Sequence, residues 1–157
     1  MAVGGRAFFD TSVPLAGLIE MGEPSIPADR ILDGIVRGAV TNPLTAWHCC
    51  LEFYSVATRL PAGLRLEPDT ARRLVEAEVL ARSHICELPA DARSMFLSSA
   101  ASDRVAGGRV YDAHIGDIAR LAGTRVVVTD NRRHFAALLR HDIRVWTAAE
   151  FAEECQL

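Results

Sequence analysis

The chain has 157 residues, 50% hydrophobic and 24% charged, with a formal net charge of −3. That is enough for one domain, residues 1–157, with a buried core, and it does not announce a broad basic surface. No apolar run is long enough for a signal peptide or a membrane span, and Cys49, Cys50, Cys86 and Cys155 contain no C-x-x-C pair, so the expectation is a cytoplasmic protein with free, mostly buried thiols.

Residues 5 to 10 give a short apolar run, Ala7-Phe8-Phe9, that ends at Asp10-Thr11-Ser12. A buried strand that ends in polar residues before a helix is a βα unit. It puts Asp10 at a strand's carboxyl end, although Asp10, Thr11 or Ser12 would also serve as a helix cap. A short helix carries Leu15, Leu18 and Ile19. Met21 to Ala28, with Gly22, Pro24 and Pro27, reads as a loop. A second helix is expected from Asp29 to Arg37, stopped by Gly38. Ala39-Val40-Thr41 is the next strand candidate, and Asn42-Pro43 starts a helix over Leu44–Leu60.

In that helix Leu44, Trp47, Leu51, Tyr54 and Thr58 recur at spacings of three and four and predict the core stripe. His48, Glu52, Ser55 and Arg59 form a polar stripe beside it. A solvated face with a weak His48–Glu52 contact is one reading; the other carries Glu52 towards a crevice. Helix Thr70–Arg82, a weak strand Ile85–Leu88 and a helix from Asp91 to Ala106 follow, the last with Met95, Phe96 and Leu97 towards the core. A helix starting near Asp112 ends at Gly123, and the β-branched run Val126–Val128 stops at Thr129-Asp130-Asn131. A short helix (Ala136–Leu139), a strand (Ile143–Trp146) and a final helix (Thr147–Cys155) close the chain. This alternation predicts an α/β fold of three layers, α/β/α, around a central parallel sheet of about five strands.

Three acids then lie where such a fold can gather them: Asp10 and Asp130 after strands, and Asp112 at a helix start. Glu52 is the candidate fourth. In open α/β sheets the ligand crevice lies beyond the carboxyl ends of the strands. Carboxylates this close repel one another, and a divalent cation relieves that repulsion; hard oxygen donors suit Mg2+ or Mn2+. Asp117 lies about 140° around the helix from Asp112 and is expected to point elsewhere.

Phe-Phe-Asp10-Thr-Ser, Glu52 within Leu-Glu-Phe-Tyr-Ser-Val-Ala-Thr-Arg-Leu, Val-Tyr-Asp112-Ala-His-Ile and Val-Val-Thr-Asp130-Asn-Arg-Arg-His-Phe together resemble the PIN-domain proteins, and among them the VapC-type toxins. The resemblance runs from about residue 6 to 147. It implies a magnesium-dependent endoribonuclease, a homodimer and inhibition by a small VapB-type antitoxin. It also implies that Asp10, Glu52, Asp112 and Asp130 are the acidic set, with Ser12 assisting near the metal. Many members carry Asp where this chain has Asn131, one residue after Asp130, so Asn131 is a possible neutral partner.

The expected reaction is metal-assisted hydrolysis of RNA phosphodiester bonds. Arg59, Arg132 and Arg133 are candidates for RNA backbone contacts, and Tyr111 and His134 for stacking on an unpaired base. Early apolar helices, about residues 15–36, offer a groove for an antitoxin segment or a dimer face. A non-catalytic interaction module acting through a protein partner is the alternative. A haloacid-dehalogenase-type phosphatase needs a second Asp two residues after the first, and Ser12 stands there.

Overall fold

A computed structural model of the chain describes residues 6–157. Five short strands build one sheet: β1 (Ala7–Phe9), β2 (Leu44–Ala46), β3 (His84–Cys86), β4 (Val126–Val128) and β5 (Arg144–Trp146). Their order is β3-β2-β1-β4-β5, and every pairing is parallel. Phe8 sits opposite both Leu44 and Val127, and Val127 opposite Val145. Side chains alternate across a strand, so one face presents Ala7, Phe9, Val126 and Val128, and the other Phe8 and Val127. Each face joins a separate core cluster.

Helices α1 (Ser12–Leu18), α2 (Ser25–Val36) and α7 (Ala148–Glu154) cover the first face, where Phe9 meets Phe151 edge-on at 5.3 Å. On the second face lie α6 (Arg109–Leu121) and a 3₁₀ segment, Arg132–His141, through Ile115, Ile118, Phe135 and Leu138. A third cluster joins α1 to α3 (Trp47–Ala57) and α4 (Pro68–Leu74), which continues as a π-helical turn, Val75–Leu80. Helix α5 (Arg93–Ser102) follows a short 3₁₀ turn at Ala90–Ala92. This is the expected three-layer α/β architecture with a five-stranded parallel sheet, and the strands and helices occur in the expected order.

Several local expectations are corrected. The second strand is Leu44–Ala46, not Ala39–Thr41. Ala39 and Val40 instead donate to Gly34 O and close α2, and Val40 packs in the α2–α7 cluster. Asn42 turns the chain with φ 51°, and the following residues slide between β1 and β3. Helix α2 starts at Ser25, not Asp29, because Pro27 sits in its first turn, where a missing N–H costs nothing. Helix α3 is rotated from the expected orientation. Cys49, Cys50, Phe53 and Ala57 face the core, while Trp47, Leu51 and Tyr54 are exposed. Cys50, Phe53 and Ala57 pack with Ile19, Ala71 and Val75 in the third cluster, and Cys49 joins Phe8 and Leu44 on the second face of the sheet. Met95 and Leu97 are likewise exposed, and Ala100 is the buried residue of α5. The short helix expected at Ala136–Leu139 is part of the longer 3₁₀ segment. Residue 5, where the first strand's run was expected to open, lies outside the described residues. The four cysteines are unbridged.

The crossing of α1 over α2 depends on Gly17. A Cβ there would lie 2.6 Å from Leu32 Cδ1 and 3.2 Å from the backbone of Ala28. Gly17→Ala is therefore expected to cost about 1–3 kcal/mol through overpacking, read as a lower urea midpoint with an unchanged m-value. An unchanged midpoint would show that the helices can part without cost.

Candidate active site

The chain steps from β1 outward to β2 and β3, then returns to place β4 and β5 on the other side of β1. The reversal between β1 and β4 opens the crevice where α/β sheets bind ligands. Asp10 leaves β1 at this point and Thr129-Asp130 leave β4. Asp10 N donates to Val128 O at 3.0 Å, so the sheet itself fixes the backbone of the first acid.

Asp10 is 4% exposed. Thr129 Oγ1 donates to its Oδ2 at 2.8 Å, and Ser12 Oγ lies 3.5 Å from the same oxygen. Burial pushes its carboxyl up to about 6, against the bonds from Thr129 and the Thr11 backbone, and the charges of Glu52 and Asp112 push it further. Glu52, one turn into α3, accepts a short hydrogen bond from the Thr11 hydroxyl. Asp112, in the first turn of α6 rather than at its start, has its Oδ2 2.9 Å from His134 Nδ1. Asp10, Glu52 and Asp112 thus come together from β1, α3 and α6.

Asp130 stands at the rim. Its backbone N–H donates to Ser12 Oγ at 3.1 Å. Its carboxyl takes a bond from the Ala148 amide at the start of α7, while partial shielding from water pushes its pKa up; no other acid contributes to that rise. Asn131 N donates to Thr129 Oγ1 at 3.0 Å, so one hydroxyl ties Asn131 to Asp10. Asp117 pairs with Arg120 at 2.7 Å. Arg132 pairs with Glu150 at 3.0 Å, and Arg59 lies beyond the end of α3. Arg133 lines a cleft beside Asp112. Tyr111 is exposed rather than packed in the core, and stacks on His48 at 5.4 Å. His48 also meets His114.

Sequence reasoning missed the positioning groups. Thr11 holds Glu52, Thr129 holds Asp10, and His134 meets Asp112. The hydroxyl residues flanking Asp10 and Asp130 were the available signal for the first two. Nothing in the spacing of His134 marked it as a carboxylate partner, because that contact joins α6 to the 3₁₀ segment.

Among the described residues no three His, Cys, Asp or Glu side chains are close enough to form a ready-made metal cage. The donor chemistry nevertheless fits a hydrated divalent cation. The charges of Glu52 and Asp112 both act against that of Asp10, and no arginine is among the charges acting on it. Mg2+ keeps several waters and takes only one or two direct carboxylates, so it does not demand a closed cage.

The chain and its fold have relatives. The PIN domain family model matches residues 7–140. Ribonuclease VapC40 of Mycobacterium tuberculosis is 32% identical over 123 residues, spanning 78% of this chain and 85% of that one. Among solved structures, Mycobacterium tuberculosis VapC20, a sarcin-ricin loop cleaving toxin, superposes with a TM-score of 0.64 at 15% identity, covering 83% of this chain and 94% of that chain. VapBC-1 from nontypeable Haemophilus influenzae superposes with a TM-score of 0.61 at 16% identity, covering 90% and 97%.

Proposed function

The chain belongs to the PIN domain family, and from that footing we propose that it is a magnesium-dependent endoribonuclease, the toxin of a toxin–antitoxin pair. The observation that carries this reading is the convergence of Asp10, Glu52 and Asp112 at the β1–β4 crevice, where burial first, and the charges of Glu52 and Asp112 after it, raise the Asp10 carboxyl. Asp10 and Asp112 would hold Mg2+ or Mn2+ directly, with Glu52 and Asp130 completing the site through water. When bound, such an ion supplies a more acidic water and offsets charge on the phosphate oxygens. The protein's part is placement. Thr129 fixes the Asp10 carboxylate, Thr11 fixes Glu52, and Ser12 links the β1 end to the Asp130 backbone.

If Asp130 acts from the rim, Asp130→Asn is expected to lower RNA cleavage by less than about tenfold. Asp112→Asn should lower it by more than about 100-fold, beyond the usual cost of losing a supporting group. Equal losses in initial rate would place Asp130 on a par with the central acids.

The partners follow from the same reading. A VapB-type antitoxin would cover the site, and Ile26 and Val36 of α2 are exposed in the region suited to it. A second copy of the chain would cover Trp47 and Leu51 of α3, Leu97 of α5 and Tyr111 of α6, which border an apolar pocket of about 490 Å³. None of the described helices is long and apolar enough to cross a membrane. Induced expression of the chain, alone and with its neighbouring small gene, tests the toxin reading. Growth arrest relieved by co-expression is expected; unimpeded growth in both cultures would favour a passive interaction module.

A further inference from the structure

A cleft of about 1190 Å³ runs between α5, α6 and the 3₁₀ segment, with Asp112 and His134 on its wall. The two elements flanking it run in the same sense. His134 meets Asp112, and further along Leu138 lies over Gly116, where an added Cβ would be 3.7 Å from Leu138 Cδ2. Arginines line the cleft in two rungs. Arg109 and Arg133 stand at the Asp112–His134 end, and Arg120 and Arg140 at the other. Eleven helical residues return Arg120 to nearly the same side of α6 as Arg109, ~16 Å away. Seven 3₁₀ residues put Arg140 ~14 Å beyond Arg133.

The two rungs differ in charge balance. Arg120 is paired with Asp117 at 2.7 Å, and Arg140 lies 3.9 Å from Asp103. Among the described residues no carboxylate is within ion-pair distance of Arg109 or Arg133. Free positive charge therefore sits at the end of the cleft nearest the catalytic carboxylates. An anionic chain that must deliver a phosphodiester to Asp112 meets it first.

We propose that this cleft is the track for one strand of RNA, with Arg109 and Arg133 gripping phosphates beside the scissile bond and Arg120 and Arg140 continuing the path. The proposal rests on the ribonuclease reading and deepens it. The guanidinium fork matches phosphate oxygens bidentately, and such contacts fix the register of the strand without reading its sequence. The track replaces two of the sequence-derived candidates. Neither Arg132, which pairs with Glu150, nor Arg59 lines the cleft.

The test is fluorescence anisotropy with a short fluorescein-labelled single-stranded RNA, in EDTA and in an Asp10→Asn background, over a salt series. Each lost phosphate contact removes about 0.7 from the slope of log affinity against log salt. Arg109→Gln with Arg133→Gln should therefore flatten the slope by about 1.4 and weaken binding at least about tenfold, with far-ultraviolet circular dichroism unchanged. Arg132→Gln should leave the slope alone. An unchanged slope in the folded double variant overturns the track, while RNA cleavage by the wild type would leave the ribonuclease reading intact. A double variant that keeps its RNA slope but no longer binds the antitoxin assigns the cleft to the protein partner and also overturns the track. A wild type that neither binds nor cleaves RNA removes both proposals.

Discussion

Asp10→Asn is expected to abolish RNA cleavage while making the metal-free fold more stable. The two effects have one cause. Asp10 is buried at the end of β1 beside Glu52 and Asp112, and its carboxyl is pushed up from 3.8 to about 6. Its folded pKa thus exceeds its unfolded value, so between about pH 4 and 6 the folded state binds more protons, and stability falls as pH rises through that window. Above about pH 6 the loss is complete, and a shift from 3.8 to about 6 corresponds to about 3 kcal/mol. Asn keeps the shape and an acceptor for Thr129 but carries no charge. In EDTA at about pH 8 the variant should be more stable than the wild type by about 2–3 kcal/mol, with no difference below about pH 4. Paired urea titrations at the two pH values check this. Equal stability at the higher pH would mean that Asp10 carries no electrostatic strain. Cleavage should fall by more than about 100-fold, since the lost group is a proposed direct ligand rather than a support.

Saturating Mg2+ or Mn2+ is expected to relieve the same strain. A ligand at about 100 times its Kd stabilises the native state by about 2.7 kcal/mol. For a chain of this length that corresponds to a rise in Tm of about 5–10 °C. The rise should shrink as pH falls below about 6, because the cation must then displace the proton on Asp10. Asp10→Asn should show little rise at any pH. Differential scanning calorimetry with and without the cation reads both. An equal rise in wild type and variant would place cation binding elsewhere on the molecule.

The order of strands and helices was legible in the sequence because buried parallel strands and amphipathic helices leave different periodicities. Val126–Val128 has no other reading than a strand buried on both faces. Helix orientation was less legible. On α3 the larger stripe, Trp47, Leu51 and Tyr54, looks like the core, yet it is Cys50, Phe53 and Ala57, packed towards α1 and α4, and Cys49, packed towards the sheet, that are buried. Periodicity reports that a face is apolar and not which of two apolar faces has room. The second strand was misplaced by a few residues because Val40 is β-branched and buried, but it is buried against α7 rather than in the sheet.

At the candidate site, Asp10, Glu52 and Asp112 converge as their positions after β1, within α3 and in the first turn of α6 suggested. The contacts that orient them were not legible. Thr129 reaches Asp10 across 119 residues, and His134 reaches Asp112 from a separate element. Such pairs depend on register between distant segments, which no local pattern encodes. Asp130 shows the same limit from the other side: its place after β4 was right, but the start of α7 offers its carboxyl an amide that the sequence does not reveal.

The most direct measurement is cleavage of a single-stranded RNA by the purified chain with Mg2+, with EDTA, and by Asp10→Asn with Mg2+. The four-acid account predicts cleavage in the first reaction and none in the other two. Cleavage unchanged by both EDTA and the substitution would contradict it.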